Sequence, residues 1–473
     1  MGEAPMKQIV VLGSGFAGTT VVRELERIFR RETDVAITMI SRHNYMVFSP
    51  LLPEIAGNIV EPRHAAPPVR IFMRKARFQQ AEVLAVDVAA RQVQVLYPDQ
   101  RTAQISFDYL VIGLGSVTNY AHAPGADVNS FDLKSLEDAI RLRNHVLLML
   151  ELADHTADPA VRQELLTFVA AGGGYAGLEG LGQLIDFVSK ALRYYPSLRR
   201  DELRFLLASH SRELLKDVDT KLGGYVAQKL GERGVDVRLG VSVTAVSERA
   251  VVLEPGGSIP TRTVLWAAGI AVSPVVESID LPKDRHGAIK VSSALQVEGH
   301  PQIFALGDCA AVPSATGTYA PTAQNAIREA ATVAQNIAAH MRGGGLRAFH
   351  FVPMGSLASI GHYQAVARIF GVSFSGFPAW LAWRAVYLAK LPSLAQRVRV
   401  LLDWALEMVL HADIVQLPVM SSDDMRFMAM RDAHTKMIEQ DSAHAEAQAD
   451  SRRQAQQASE AAPAATPVAP LEG

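Results

Sequence analysis

The sequence is nearly devoid of cysteine: Cys309 is the one thiol among 473 residues. A single thiol excludes a disulfide framework, a thiolate zinc site, a cysteine-ligated iron–sulfur cluster and a redox-active CxxC pair. Such sparing use of cysteine is typical of a reducing compartment. We expect Cys309 to be a small buried side chain. The histidines show no metal-ligand spacing, so we expect no metal site.

Long apolar runs and an excess of one charge are also missing. No window of about 18 to 20 uninterrupted apolar residues occurs, so we expect no bilayer-spanning helix. The chain begins MGEAPMKQIVVLGSG and enters a strand with no apolar secretory segment before it. A formal net charge of −2 provides no field that would gather nucleic acid. The sequence therefore predicts a soluble or peripheral protein without a nucleic-acid partner.

Short apolar strands alternate with helical segments along most of the chain, and two strand–glycine–helix units stand about 160 residues apart. The length predicts two or three domains. Predicted strands of the first unit lie near residues 8–12, 35–40 and 108–112, and those of the second near 166–170, 203–208, 235–239 and 263–266. Short alternating segments such as Val93 to Tyr97 indicate an antiparallel layer. From about residue 440 the composition predicts a disordered tail.

The first glycine motif follows the strand Gln8 to Leu12 and opens a helix predicted over about 17–31. Its first glycine permits a tight turn, its second lets the backbone approach a pyrophosphate, and its third lets the helix pack on the sheet. The helix N-terminus then offers N–H groups to phosphates. The next strand ends in Ser41 and Arg42, where Ser41 can bind a ribose hydroxyl in place of the usual carboxylate. The candidate dinucleotide-binding residues of this motif are Gly13, Ser14, Gly15, Phe16, Ala17 and Gly18.

A second glycine motif, GGGYAGLE, repeats this logic with Gly172, Gly174 and Gly177 in the three roles. At the tip of its second strand Ser209 stands where a carboxylate would select NADH. Arg212 follows shortly, and an arginine at this place can accept a 2′-phosphate. Use of NADPH as well as NADH therefore stays open.

A third motif, Gly307-Asp308, ends the buried run IFALGDCA. A carboxylate in this position can accept a hydrogen bond from a ribityl hydroxyl of a flavin. The run GLGS at 113–116, which contains Gly115, adds a further glycine turn after a strand. Together with two dinucleotide motifs, these features predict a flavin.

In order along the chain, GSGFAG, GGGYAGLE, WAAG (266–269), ALGDCA (305–310) and PTAQNA (321–326) resemble the motifs of two-dinucleotide flavin reductases. The stretch NYMVFSPLLPEIAG, the Ala323-Gln324 pair and the segment FSGFPAWLAWRAVYLAKLP narrow the likeness. Residues 7–418 look like type II NADH dehydrogenases, single-subunit quinone reductases that pump no protons. The resemblance implies an α/β fold with two Rossmann-like domains in a glutathione-reductase-like arrangement, followed by a C-terminal amphipathic helical module.

The resemblance also implies roles for matching positions. Gln324, beside Ala323, would lie by the flavin ring and the quinone. Glu179 would lie near the same face and could relay protons. Asp308 would hold the ribityl chain of FAD, and Gly269 would lie close to the nicotinamide nucleotide. The chain departs from the family at Arg328, where a second glutamine is usual.

We therefore expect an FAD-dependent enzyme that passes hydride from NADH, or NADPH, to FAD and then two electrons to menaquinone or ubiquinone. A cysteine pair is missing, which excludes a disulfide reductase and disfavours a sulfide:quinone reductase. Two alternatives remain at this point. One is a ferredoxin- or rubredoxin-type NAD(P)H reductase, and the other is a flavin-bearing redox sensor or scaffold that does not turn over.

The predicted domains are the two parts of an FAD-binding domain at 1–135 and 271–345, an NAD(P)H-binding domain at 136–270, a C-terminal module at 346–420 and a helical end with the disordered tail at 421–473. In the module Trp380, Trp383, Tyr387 and Leu391 recur at helical spacing, and a second helix carries one apolar and one charged stripe. Amphipathic helices of this kind lie at bilayer interfaces. We expect a peripheral protein at the cytoplasmic face of the inner membrane. The alternative is that both stripes pack on the protein itself or on a second subunit in a homodimer.

Overall fold

The computed structural model describes residues 6–120, 123–215, 220–352, 355–410 and 413–417. By its internal contacts the chain divides into two units, Met1–Val419 and Met420–Gly473. The whole second unit lies outside the described residues, and so does the tail predicted to be disordered.

The elements alternate between strands and helices over most of the first unit. Its first part contains β1 (Lys7–Leu12), α1 (Phe16–Ile28), β2 (Val35–Ser41), α2 (Leu52–Ala56), β3 (Arg77–Gln80), β4 (Glu82–Asp87), β5 (Gln92–Leu96), β6 (Thr102–Ser106), β7 (Tyr109–Ile112), β8 (Ser116–Thr118), α3 (Ala126–Asn129), α4 (Leu136–His155) and α5 (Pro159–Leu165). Its middle contains β9 (Thr167–Ala171), α6 (Tyr175–Ala191), β10 (Arg204–Ser209), α7 (Thr220–Glu232), β11 (Val235–Leu239), β12 (Ser242–Val246), β13 (Ala250–Glu254), β14 (Gly257–Pro260), β15 (Thr263–Trp266), β16 (Ile270–Val272) and α8 (Pro274–Ser278).

The remaining part contains β17 (Ile289–Lys290), β18 (Gln296–Val297), β19 (His300–Ala305), β20 (Ala310–Ala311), β21 (Pro313–Ser314), β22 (Gly317–Thr318), α9 (Ala323–Met341), β23 (Gly355–Ser359), β24 (Ala365–Ile369), β25 (Val372–Ser375), α10 (Phe377–Lys390) and α11 (Leu394–Val409). Short 3-10 helices lie at Ser49–Leu51, Pro62–Ala65, Val69–Phe72, Leu192–Tyr194, Arg200–Glu202 and Gly307–Cys309.

The first large sheet has six strands in the order β18–β19–β7–β1–β2–β3. Its strands are parallel except β18, which pairs antiparallel with β19 at the edge. All four residues of β7 are buried, as expected for a parallel strand covered on both faces. Helices α1 and α9 pack against each other beside it. The predicted strands 8–12, 35–40 and 108–112 are confirmed to within about two residues.

The second large sheet has four parallel strands in the order β11–β10–β9–β15. These four strands match the four predicted for the second unit. Antiparallel three-stranded sheets, β4–β5–β6 and β12–β13–β14, accompany the two large sheets, and the first contains the predicted segment 93–97. The first sheet contains strands that precede the second sheet in the sequence and strands that follow it. The chain therefore leaves the first Rossmann-like unit, forms the second and then returns to the first. The predicted α/β fold is confirmed.

The C-terminal part of the first unit starts with a sheet that the sequence did not predict. Strands β23, β24 and β25 form an antiparallel sheet, and α10 packs on all three. Glycine and serine interrupt the strands of this sheet and the turns between them, which weakens the apolar pattern by which a strand is recognised. The predicted helical module is therefore a small sheet followed by two helices.

Helix α10 buries the aromatic stripe that we expected at a bilayer interface. Trp380 and Trp383 are 6% and 2% exposed, and Leu391 is buried after the end of the helix. The Tyr387 ring lies 4.6 Å from the ring of Trp383. The stripe of α10 therefore packs on the protein, which is the alternative to membrane contact that the sequence left open.

Helix α11 buries two acidic side chains and exposes several apolar ones. Asp403 and Glu407 point inward, with side chains 14% and 10% exposed. Val400 and Trp404 are buried as well, but six apolar residues point outward, with 49% to 78% of each exposed; they are Val398, Leu401, Leu402, Leu406, Met408 and Val409. We call these six residues the outer face of α11. Every helix in the described ranges falls short of the length and apolar character needed to cross a membrane.

Candidate active site

The first glycine motif forms the turn between β1 and α1. Gly13 has φ of +96°, a left-handed conformation that favours glycine. A Cβ on Gly18 would collide with the Gly13 carbonyl oxygen, so the helix can cross this close to the turn only without a side chain. Next to Gly15, by contrast, a Cβ would meet nothing within 4 Å. The middle glycine therefore borders open space, as a backbone that receives a pyrophosphate requires.

The N-terminus of α1 is left without a side-chain cap. Gly15 occupies the capping position and offers no side chain to the first-turn N–H groups. Helix α6 begins in the same way at Gly174. Ser135, Asp158 and Thr322 cap α4, α5 and α9 with side-chain oxygens. The two helices that follow glycine motifs thus keep their N–H groups for an external acceptor.

The residues predicted to bind the dinucleotide around the first motif differ in the direction of their side chains. Ser14 and Ser41 lie together, with their hydroxyl oxygens 2.8 Å apart. Arg42 turns away, since its guanidinium donates to Glu82 at 2.6 Å. Phe16 packs against Phe48 with ring centroids 5.6 Å apart.

The Gly307-Asp308 turn lies over the first motif. A Cβ on Gly307 would lie 3.6 Å from the Cβ of Ala17 and 3.5 Å from that of Ala326, which places the turn between α1 and α9. The Asp308 carboxylate accepts a hydrogen bond from Ser116 Oγ at 2.7 Å. Gly115, just before Ser116, has φ of +67° and borders open space.

Sequence reasoning missed Glu329, a carboxylate on α9 that is 2% exposed. It accepts a hydrogen bond from the Gly307 N–H at 2.7 Å and so fixes the turn that carries Asp308. Burial raises the pKa of Glu329 to about 7, although the Gly307 N–H opposes this shift. The sequence offered one signal for this role, since Glu329 is the one acidic residue of the alanine-rich helix α9.

The second glycine motif repeats the geometry of the first between β9 and α6. Gly172 has φ of +118°, and a Cβ there would collide with the Ala267 carbonyl. A Cβ on Gly177 would collide with the Gly172 carbonyl, whereas one on Gly174 would meet open space. Gly269 has φ of +156°, and its carbonyl accepts a hydrogen bond from the Asn119 N–H at 3.1 Å.

The last residue of β10, which lies beside this motif, is Ser209 and not a carboxylate. Ser209 is buried, and its hydroxyl lies beneath Gly173. Arg212 is exposed, and its Cγ lies 3.6 Å from the position of a Cβ on Gly240 at the end of the next strand. The nearest following carboxylate, Glu213, accepts a hydrogen bond from Thr220 Oγ1 at 3.3 Å.

Strand β23 links the two predicted catalytic residues. Gln324, in the first turn of α9, donates its amide N–H to the Gly355 carbonyl at 3.3 Å. Glu179, on α6, accepts a hydrogen bond from the Ser359 N–H at 2.9 Å. The two contacted residues are four apart on one strand, which separates them by about 13 Å. The previously unpredicted sheet therefore aligns both residues along a common edge.

Glu179 is held in a fully enclosed position. Its Oε1 also accepts a hydrogen bond from the indole N–H of Trp383 at 2.9 Å. Burial raises the pKa of the Glu179 carboxyl to about 8, although the bonds from Ser359 and Trp383 lower it and the charge of Glu54 raises it further. The group therefore holds a proton at neutral pH and can give it up to a strong acceptor. Arg328, one turn after Gln324, is exposed, with its guanidinium 5.5 Å from the Phe351 ring.

Cys309 is completely buried, as predicted, and burial raises the pKa of its thiol to about 11. In the described ranges no group of three or more histidine, cysteine or acidic side chains could hold a metal ion.

Two sequence profiles of known families match the chain in succession. The family described as pyridine nucleotide-disulphide oxidoreductase matches residues 7–330, and the NDH2 C-terminal domain matches residues 354–410. The second match distinguishes the chain from general two-dinucleotide reductases.

Curated relatives and solved structures agree with these matches. The type II NADH:quinone oxidoreductase Ndh of Mycobacterium tuberculosis is 32% identical over 419 residues, which cover 84% of this chain and 87% of that protein. The demethylphylloquinone reductase NdbB of Synechocystis is 31% identical over 84% of this chain and 95% of its own length. The structure of NDH2 from Plasmodium falciparum in complex with NADH has a TM-score of 0.81 at 20% identity and covers 87% of this chain and all of its own. The chain therefore belongs to the type II NADH:quinone oxidoreductase family.

Proposed function

We propose that this NAD(P)H:quinone oxidoreductase carries FAD on the first glycine motif and receives the nicotinamide nucleotide on the second, without pumping protons. The observation that carries the proposal is the pair of uncapped helix N-termini, at Gly15 and Gly174, that border open space. Each supplies unpaired N–H groups and the positive end of a helix dipole to a pyrophosphate. Bound FAD would supply the chemistry of accepting a hydride and releasing two electrons.

Residues around the first motif fit FAD. Gly15 leaves space for the pyrophosphate, and Ser14 with Ser41 supplies hydroxyls near the ribose. Asp308 would accept from a ribityl hydroxyl, while Gly115 lets the backbone approach. The proposed domains remain those at 1–135 with 271–345 for FAD and 136–270 for the nucleotide, followed by the module at 346–420.

The second motif would take NADH and NADPH. Ser209 places a hydroxyl, without a carboxylate's charge, at the tip of β10. A carboxylate there would repel the 2′-phosphate of NADPH. Arg212, by contrast, could form an ion pair with that phosphate. Gly269 would lie against the nicotinamide half. Binding of 2′,5′-ADP and 5′-AMP, compared by calorimetry, tests this selection separately from turnover.

On the acceptor side Gln324 would position the quinone, menaquinone or ubiquinone, and Glu179 would supply a proton. A hydride carries two electrons and one proton, whereas reduction of a quinone to a quinol takes two electrons and two protons. One further proton per turnover must therefore be taken up from solvent, and a protein side chain can deliver it to the quinone. The buried, protonated carboxyl of Glu179 is suited to give it.

The outer face of α11 would place the enzyme on a lipid surface, at the cytoplasmic side of the inner membrane. Its exposed leucines and valines would enter the interface, and Arg397 and Arg399 flank them. An apolar face bordered by basic residues is typical of interfacial helices. A homodimer through the same face is the competing use, and vesicle binding separates the two.

The test is anaerobic mixing of the purified protein with NADH and NADPH in turn, followed by menaquinone and ubiquinone analogues. We expect bleaching of the flavin absorbance by nucleotide and its repeated recovery by quinone. A protein that stays colourless after incubation with FAD would contradict the proposal.

A further inference from the structure

A second buried carboxylate, Glu54, lies near Glu179 and has no role in the chemistry described so far. It is on α2 and is 2% exposed. Its Oε2 accepts a hydrogen bond from the indole N–H of Trp404 at 2.7 Å, and its Oε1 lies 3.9 Å from Nη2 of Arg384. A carboxylate is seldom enclosed this fully, because burial penalises its charge.

Glu54 and Glu179 are held by equivalent donors on neighbouring helices. Trp383 of α10 donates to Glu179, and Trp404 of α11 donates to Glu54. The centroids of the two indole rings are 6.4 Å apart. Helix α2 also packs directly on α6, which carries Glu179. The two carboxyls thus face a common region between α2, α6, α10 and α11.

From Glu54 a line of charged groups leads towards the surface. Arg384 lies between Trp380 and Trp404, with its guanidinium 4.2 Å and 4.7 Å from their ring centroids. Its Nη2 is 4.0 Å from Oε2 of Glu407. Glu407 forms an ion pair with Lys190, whose side chain is 32% exposed. The cluster therefore reaches from an enclosed interior to a solvated edge.

Several polar atoms in this region lack a hydrogen-bond partner among the described residues. They are Oε1 of Gln183, Nε of Arg384, Oε1 of Gln396 and Oε2 of Glu407. Buried polar atoms are normally satisfied by protein or by ordered water. Gln183 lies one turn after Glu179, and the other three atoms belong to α10 and α11. Water bound to these atoms would join the two ends of the cluster.

Both carboxyls titrate in the range that proton exchange at neutral pH requires. Burial raises the pKa of Glu54 to about 7, Arg384 and Trp404 lower it, and the charges of Glu407 and Asp403 raise it. Glu179, with a pKa of about 8, is itself raised by the charge of Glu54. Because the two groups interact, they titrate as a pair, and the pair can take up or release a proton near neutral pH.

We propose that Glu54 is the group that returns a proton to Glu179 after each quinone reduction. The inference rests on the proposed function, in which Glu179 gives one proton to the quinone and becomes a carboxylate. Glu54 then transfers its own proton to Glu179, and solvent reprotonates Glu54 from the Glu407–Lys190 edge. Arg384 stabilises Glu54 while it is ionised. Glu54 acts through Glu179 and does not touch the substrate.

The test is Glu54→Gln, which keeps size and lets the Trp404 indole donate to an amide oxygen. In stopped-flow single turnover, where Glu179 starts protonated, we expect nucleotide oxidation and quinone reduction within about twofold of wild type. Over many turnovers we expect the rate to fall at least about tenfold. A small weak acid such as imidazolium should restore much of it. A purely structural role would slow both regimes and would not be rescued.

A second variant keeps the inference testable if Glu54→Gln does not fold. Trp404→Phe preserves an aromatic ring and removes the N–H that lowers the pKa of Glu54. We expect the basic limb of the steady-state pH profile to move to higher pH, and an unmoved limb would overturn the inference. The control for Glu54→Gln is Glu151→Gln. Glu151 also accepts a hydrogen bond from an aromatic side chain, Tyr195, but lies outside the cluster around Glu54.

A readout independent of turnover is the infrared C=O band of protonated carboxyls. In wild type we expect intensity lost between about pH 6 and 8, and a smaller loss in Glu54→Gln. An unchanged loss, or many-turnover rates equal to wild type, would overturn the role of Glu54 alone. Wild-type protein that reduces no quinone would instead overturn the proposed function.

Discussion

The outward-facing leucines of α11 offer a quantitative test of lipid binding. Leu401 and Leu402 are 52% and 55% exposed, so the protein covers about half of each. Full burial of a leucine side chain contributes roughly 1.5 to 3 kcal/mol, so insertion of the exposed half contributes about 1 kcal/mol per residue. Alanine at both positions keeps the helix propensity and removes about 2 kcal/mol, which is roughly a 30-fold weaker partition.

The assay is cosedimentation of the Leu401→Ala/Leu402→Ala double variant with vesicles of zwitterionic lipid, and of zwitterionic lipid mixed with anionic lipid. The matched control is Leu148→Ala/Leu152→Ala on α4, where the residues are 44% and 41% exposed. We expect the control to bind as wild type does. Unchanged vesicle binding of the α11 variant would refute the reasoning. If sedimentation without lipid showed instead that the variant loses a dimer, the face would be a contact between copies.

Four further outcomes follow from the site. Gly15→Ala should fold but retain little FAD, because its Cβ occupies the open space reserved for the pyrophosphate, whereas Gly231→Ala, also facing open space, should bind FAD normally; visible absorbance per chain measures both. Glu179→Gln should slow quinone reduction at least about tenfold in single turnover while flavin reduction by nucleotide is unchanged, and equal rates in both half-reactions would remove its role. Ser209→Asp should shift the ratio of kcat/KM values from NADPH towards NADH, since the new carboxylate repels a 2′-phosphate, and an unmoved ratio would place the selection elsewhere.

The fourth outcome concerns stability and has a definite sign. Because the pKa of Glu179 rises from 4.5 to about 8 on folding, its contribution is fully present below about pH 4.5 and is lost as pH rises through about 8. Denaturant midpoints measured from pH 5 to 8 should therefore fall less steeply in Glu179→Gln than in wild type, and parallel curves would contradict the raised pKa.

The glycine motifs made most of the fold and the two dinucleotide sites predictable. A glycine at Gly13 or Gly172 marks a left-handed turn, and a glycine at Gly18 or Gly177 marks a close approach of backbone to backbone. These are local steric requirements that only glycine meets, so they can be recognised in the sequence. The order of the motifs then gave the α/β architecture.

The buried polar residues were much harder to predict from the sequence. Glu54 stands in a segment that reads simply as apolar, and Glu329 stands alone as a carboxylate in an alanine-rich helix, but neither pattern shows what the carboxylate contacts. Their pKa values depend on Arg384, Trp404 and the Gly307 N–H, which lie far away in the chain. Only packing brings these groups together.

The sequence by itself determined where the phosphate-binding turns lie, because backbone sterics at a glycine are set by a few neighbouring residues. Tertiary structure decided which face of α10 and α11 meets solvent. Helical periodicity defines stripes but not their direction. His64 and Lys190 pair with Asp403 and Glu407 of α11 and draw its acidic stripe inward, and the buried Glu54 accepts a hydrogen bond from Trp404 of the same helix. Since those partners come from distant segments, the outward turn of the leucines could be recognised only once the chain was folded.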